Sequence, residues 1–132
     1  MKRKLRMGMV GGGKDAFIGA VHRIAAFMDG KIELVCGAFS VNPEISQESA
    51  RELFVAEDRV YSDYQTMIAQ EAQLPEGERM DFLTIVTPNF LHYEPAKLAL
   101  EAGFDVVVEK PITVSLEEAK SLQEIVERTG RT

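Results

Sequence analysis

Five short apolar runs punctuate this chain, at Leu5–Val10, Glu33–Phe39, Arg59–Tyr61, Phe82–Val86 and Phe104–Val108, and a segment of helical period follows each of them. That alternation constrains the fold more than any other feature. Strands that lie parallel need long crossovers between them, and intervening helices supply these while covering both faces of the sheet. The helical segments carry their own punctuation. Phe17, Ala20, Val21, Ile24 and Met28 recur at helical spacing before Gly30, predicting a helix over 17–28 with this set as its buried face. Asn42-Pro43 reads as an N-cap followed by proline at the first helical position, for a helix to about Phe54. Ser62-Asp63-Tyr64-Gln65 and Ser115-Leu116-Glu117-Glu118 have capping-box spacing. A helix from about His92 to Ala102 tolerates Pro95 only in its first turn, and Gly103 ends it. Five β-α units joined by right-handed crossovers predict an α/β fold with a doubly wound parallel sheet, Rossmann-like, in the order 3-2-1-4-5.

The 132 residues are expected to form one domain, spanning 1–132. Thr129 to Thr132 falls where a sixth strand is expected, so the reading anticipates a longer protein with a further C-terminal domain. A net charge of −6 argues against nucleic acid or an anionic membrane as the main partner. Met1-Lys2-Arg3-Lys4 has the charge of a signal-peptide opening, but Arg6 and the Gly11–Gly13 run interrupt any apolar stretch behind it. The single cysteine, Cys36, lies inside an apolar run and reads as a small core residue. A cytoplasmic location is expected. No cluster of metal-ligating residues is recognised.

In a sheet of this kind, ligands sit beyond the C-terminal ends of the strands, near the point where the strand order reverses. The first strand runs into Gly11-Gly12-Gly13-Lys14-Asp15-Ala16-Phe17-Ile18-Gly19. Glycine lets the backbone approach a pyrophosphate, and the helix that follows offers free N–H groups at its positive end. Two alignments are open for the G-x-G-x-x-G pattern, one with Ala16 in third place and one with Gly19 there. After the second strand comes Ser40-Val41-Asn42, where an NAD enzyme usually places an acid for the ribose hydroxyls. Ser40 would not repel a 2′-phosphate, and no arginine stands beside it to claim one, so NAD and NADP both stay open. The fourth strand ends at Thr87-Pro88-Asn89, with His92 close behind, which taken alone is a turn with a surface or capping histidine. The fifth ends at Glu109-Lys110-Pro111. Pro111 biases Lys110 towards extended geometry, so Lys110 prolongs the strand with its ammonium near the crevice, either as a solvated strand end or as a group able to orient a substrate hydroxyl and assist proton transfer.

Taken together, "GGG…IGAVH" and "TPNFLHYEPAKLALEAGFDVVVEKP" resemble the nucleotide-binding domain of the glucose–fructose oxidoreductase / inositol dehydrogenase (Gfo/Idh/MocA) family, from Leu5 to about Gly130. The resemblance implies an NAD(P)-dependent oxidoreductase moving a hydride between nicotinamide and a hydroxyl of a sugar, inositol or related polyol. It implies that Gly11, Gly13, Phe17 and Ile18 line the pyrophosphate, and that Thr87, Pro88, Asn89 and His92 flank the ribose and the stretch towards nicotinamide. Glu109 would lie near the nicotinamide, and Lys110 would touch both cofactor and substrate as the catalytic residue. The substrate pocket would belong to the further domain, through which family members also associate as homo-oligomers, and the 132 residues alone would be inactive. The match of Ile18-Gly19-Ala20-Val21-His22 to the family's helix start favours Gly19 over Ala16, with Lys14-Asp15-Ala16 as a three-residue enlargement of the loop. That enlarged loop is expected to fold over the pyrophosphate, with Ala16 to Ile18 donating backbone N–H groups. A non-catalytic NAD(P)-binding sensor is the alternative, and a different nucleotide binder such as a methyltransferase leaves Glu109-Lys110-Pro111 without a reason.

Overall fold

A computed structural model describes residues 3–132; Met1 and Lys2 of the basic opening lie outside the described residues. The chain runs β1 (Leu5–Gly11), α1 (Phe17–Phe27), β2 (Ile32–Ala38), α2 (Pro43–Glu52), α3 (Tyr64–Gln73), β3 (Phe82–Val86), α4 (Tyr93–Glu101), β4 (Asp105–Val108) and α5 (Leu116–Thr129). The strands form one parallel sheet in the order β2-β1-β3-β4. β1 is therefore central, and the order reverses between β1 and β3. The strand pattern splits the core between the two faces. Val10, Cys36, Leu83 and Ile85 pack with Met67 and Ile68 of α3, Ala99 and Leu100 of α4, and Leu122 and Ile125 of α5. Met7, Met9 and Val86 face the other way, onto Ala50 of α2 and Ile18 and Ala26 of α1. Successive residues such as Met9 and Val10 thus serve opposite layers, the period-two consequence of the pleat.

Two expectations need correction. The sheet has four strands, because the predicted strand Arg59–Tyr61 reduces to a 3-10 turn over Glu57–Arg59 and one parallel bridge between Val60 and Gly37. That bridge lies on the outer edge of β2, the place expected for the third strand. The charged residues Glu57, Asp58 and Arg59 shorten the apolar run, and the side chains flanking Val60 are committed elsewhere. Arg59 donates from Nε and Nη2 to the Glu71 carboxylate at 2.7 and 2.8 Å, and the Tyr61 hydroxyl donates to it at 2.9 Å. The Met80 main-chain N–H completes the set at 2.9 Å, so the fully buried Glu71 has both oxygens occupied. Burial pushes the Tyr61 hydroxyl up, with the Glu71 carboxylate beside it adding to the effect.

The second correction concerns α1. Of its predicted buried stripe, Phe17 is 82%, Ile24 67% and Met28 81% exposed. The inward face is instead Ile18, Gly19, His22, Arg23 and Ala26, at helical spacing but mostly small or polar. The helix approaches the sheet through Gly19, which leaves no depth for large apolar side chains.

The caps largely follow the sequence. Asn42 Oδ1 accepts from the N–H groups of Glu44 and Ile45 at 2.9 and 3.3 Å, and Ser115 Oγ accepts from Glu118 N–H at 3.2 Å. At α3 the cap falls one residue later than expected, with Asp63 accepting from Thr66 N–H at 2.6 Å. Cys36 is buried, and burial pushes its thiol well up, as fits a core residue. No helix among the described residues is long and apolar enough to cross a membrane.

Candidate functional site at the strand tips

The C-terminal ends of β1, β3 and β4 carry the residues the sequence singles out, and the parallel pairing sets them side by side. Gly11 is in register with Val86, the last residue of β3, and Ile85 with Val108. The glycine loop turns tightly here. Gly11 and Gly12 both have positive φ, +80° and +74°, which L-residues with side chains rarely adopt. A Cβ on Gly13 would stand 2.9 Å from the Phe39 carbonyl oxygen, and one on Gly19 only 2.4 Å from the Gly12 Cα. Gly19 therefore fills the third position of the fingerprint, the one that lets helix and strand pack closely. Ala16 is the N-cap residue of α1. Gly19→Ala should cost about 1–3 kcal/mol of unfolding free energy by overpacking, measured by urea denaturation; a change within experimental scatter would mean that α1 can move off the loop.

The Lys14–Ala16 part of the loop is fastened to the protein. Lys14 N–H donates to Ser49 Oγ at 2.9 Å, and the Lys14 ammonium pairs with Glu48 of α2. Ala16 N–H donates to the Gly13 carbonyl at 2.8 Å, so this one of the three expected donors is already spent within the loop. Phe17, Ile18 and Gly19 form the first turn of α1, which has neither a capping side chain nor an acidic residue. These orphan N–H groups and the positive end of the helix dipole suit an anion.

The remaining tips are arranged as follows. Ser40 Oγ accepts from Asn42 N–H at 3.1 Å, beside a shallow depression lined by Val41, Asn42, Pro43 and Glu44. Pro88, Asn89 and Phe90 are exposed past the end of β3, while the Thr87 hydroxyl donates to the Leu91 carbonyl at 3.0 Å. His92, expected to flank the cofactor, is fully buried. Its Nδ1 lies 2.6 Å from the Pro111 carbonyl and its Nε2 2.9 Å from the Thr87 carbonyl. The ring ties the two strand tips together and has no surface to offer a ligand. Lys110 is exposed at the end of β4, and the Lys110–Pro111 peptide is cis. Its main-chain N–H donates to Glu109 Oε1 at 3.0 Å, and Glu109 Oε2 lies 2.6 Å from His22 Nε2. The Glu109 carboxyl is held below the usual carboxylate range, by His22 first and by the Lys110 N–H next.

Two residues escape the sequence reading as parts of the site. His22 enters it only as a match at a helix start, and nothing in a spacing of 87 residues announces its contact with Glu109. Arg23 donates to the Gly12 carbonyl at 2.8 Å from beneath the loop, and burial pulls its guanidinium below its usual value. An arginine one turn after the fingerprint glycine, on a mostly apolar helix, is a signal that could have found it.

Comparison with known proteins agrees with the fold. The family model described as an oxidoreductase family with an NAD-binding Rossmann fold matches residues 5–132. The chain is 38% identical over 132 residues to YfiI, an uncharacterized oxidoreductase of Bacillus subtilis, covering 99% of this chain and 33% of that protein. It is 35% identical over 58 residues to the NADP-dependent scyllo-inositol 2-dehydrogenase IolW of the same organism, covering 44% of this chain and 16% of that protein. Among solved structures, an inositol dehydrogenase homolog from Azotobacter vinelandii complexed with NADH and myo-inositol superposes with a TM-score of 0.94 at 40% identity. That match covers 99% of this chain and 34% of the other. The chain thus spans about a third of the length of the relatives it matches in full.

Proposed function

The chain belongs to the Gfo/Idh/MocA oxidoreductase family, as its NAD-binding Rossmann domain, and from that premise we propose that it is the cofactor half of a dehydrogenase acting on a hydroxyl of a sugar, inositol or related polyol. The observation that carries this reading is the placing of an uncapped helix start after β1 and an exposed lysine after β4, at the same end of one sheet on either side of β3. The helix start fits a dinucleotide diphosphate: Gly11 and Gly13 hold the loop in a turn packed too closely on Val86 and Phe39 for any side chain, and the uncapped N–H groups of Phe17, Ile18 and Gly19 would meet the phosphate oxygens. Ser40 meets the adenosine ribose; with neither an acid nor an arginine at that tip, NAD and NADP are both admitted. Pro88 and Asn89, exposed past β3, would flank the dinucleotide, and Thr87 and His92 hold that tip in shape. When bound, the nicotinamide supplies the acceptor or donor of a hydride. Lys110 orients the substrate hydroxyl and takes up or returns its proton, while Glu109 fixes the Lys110 main chain.

The substrate pocket and the contacts between copies belong to the part of the protein outside these residues, and the domain by itself is inactive. The test is oxidation of a panel of inositols and aldoses by the full protein with NAD and NADP, followed by nicotinamide absorbance. Turnover of at least one polyol is expected. Tight cofactor binding with no turnover of any would favour a non-catalytic sensor.

A further inference from the structure

The chain contains two histidines, and both grip the tripeptide that carries Lys110. His92 holds the Pro111 carbonyl, and His22 holds the Glu109 carboxylate. We propose that His22 is a positioning residue for the chemistry at Lys110: from the inward face of α1 it fixes the Glu109 side chain, which in turn holds the Lys110 main chain at the tip of β4.

The geometry makes this more than a surface ion pair. Exposed pairs contribute little because two mobile side chains must be ordered in water, but here the His22 and Glu109 side chains are only 24% and 19% exposed. Both Glu109 oxygens are engaged, Oε2 by His22 at 2.6 Å and Oε1 by the Lys110 N–H at 3.0 Å. A carboxylate with two fixed donors has one orientation, and charge-assisted contacts of this length are the stronger kind. The Glu109 main-chain N–H is itself tied to β3, donating to the Ile85 carbonyl at 3.0 Å. The contact joins α1 to the tip of β4, which is not a neighbour of β1 in the sheet. α1 starts at the proposed phosphate seat, and His22 lies just over one turn further along it. His22 thus holds Glu109, and with it the Lys110 main chain, from outside the proposed phosphate seat.

For its purpose this assignment rests on the reading of Lys110 given above, but its geometry can be tested without cofactor or substrate. Amide hydrogen exchange on the full protein reads the Lys110 N–H directly. His22→Ala should speed exchange at Lys110 about tenfold or more, the loss of one charge-assisted hydrogen bond, and leave Leu83 and Ile85 in the core unchanged. His22→Gln keeps an N–H donor and should restore protection; His22→Phe keeps the ring volume without the donor and should behave as His22→Ala does. In turnover, His22→Ala and His22→Phe should lower kcat about 10–100-fold, as misplacement of a reacting group does, with the KM for cofactor changed less than about twofold. Protection at Lys110 in His22→Phe equal to that of the unaltered protein would overturn the assignment. Equal loss of protection at Lys110, Leu83 and Ile85 in all three variants would do so too, by making His22 a packing residue. If the exchange pattern holds and the unaltered protein turns over no polyol, the clamp stands and the reading of Lys110 falls.

Discussion

Lys110→Ala in the full protein is expected to lower kcat by about 10²–10⁴-fold, the range for removing a positioned proton-transfer group, while the dissociation constant for NADH shifts by less than about threefold. The split follows from where the residue stands. The proposed diphosphate seat is built from the glycine loop and the first turn of α1, none of which touches the Lys110 side chain. Lys110 itself is held by its main chain, through Glu109 Oε1 and the Pro111 carbonyl, and its ammonium forms no ion pair among the described residues. Lys110→Arg should also lose most of the activity, because a planar guanidinium keeps the charge but cannot give up its proton near neutral pH. Steady-state kinetics with a parallel NADH titration measures both quantities. Unchanged kcat in Lys110→Ala would remove the residue from the mechanism.

Glu71→Ala is expected to destabilise the domain by about 3–5 kcal/mol, the cost of removing one partner from a buried ion pair. The carboxylate satisfies two donors of Arg59, the Tyr61 hydroxyl and the Met80 N–H at once, with its own side chain fully excluded from water. Its removal strands all of them next to the outer edge of β2, where a single bridge is all that remains of a third strand. Urea unfolding followed by circular dichroism gives the value. By contrast, Glu48→Ala, which breaks the more exposed pair with Lys14, should leave the unfolding midpoint within experimental scatter. A Glu71→Ala loss as small as that of Glu48→Ala would mean that water reaches and satisfies the stranded groups.

The legible part of this sequence was the part written in periodicity. β3 falls at Phe82–Val86 as expected, and the caps at Asn42 and Ser115 are in place, because a local signal and the final structure ask for the same residues there. The strand at Arg59–Tyr61 failed because a three-residue run carries almost no pattern, and because a distant carboxylate, Glu71, recruits the side chains on either side of it. The α1 stripe failed for a different reason. Helical spacing marks which residues share a face, but the close approach at Gly19 decided which face turned inward, so Ile24 and Met28 point away from the sheet. In the site, positions just past strand ends were readable from topology alone. What each side chain does there was not: His92 is sealed inside, Ala16 spends its N–H within the loop, and His22 acts across 87 residues. Contacts of that kind depend on the assembled sheet and leave no local trace.

The most direct measurement is a chemical-shift titration of the isotope-labelled protein with NAD(H) and NADP(H). The account predicts saturable shifts concentrated at Gly11 to Gly19, Ser40, Pro88 to Phe90, and Glu109 and Lys110, with the helix ends on the opposite edge of the sheet unmoved. Shifts confined to other surfaces, or none with either dinucleotide at millimolar concentration, would contradict it.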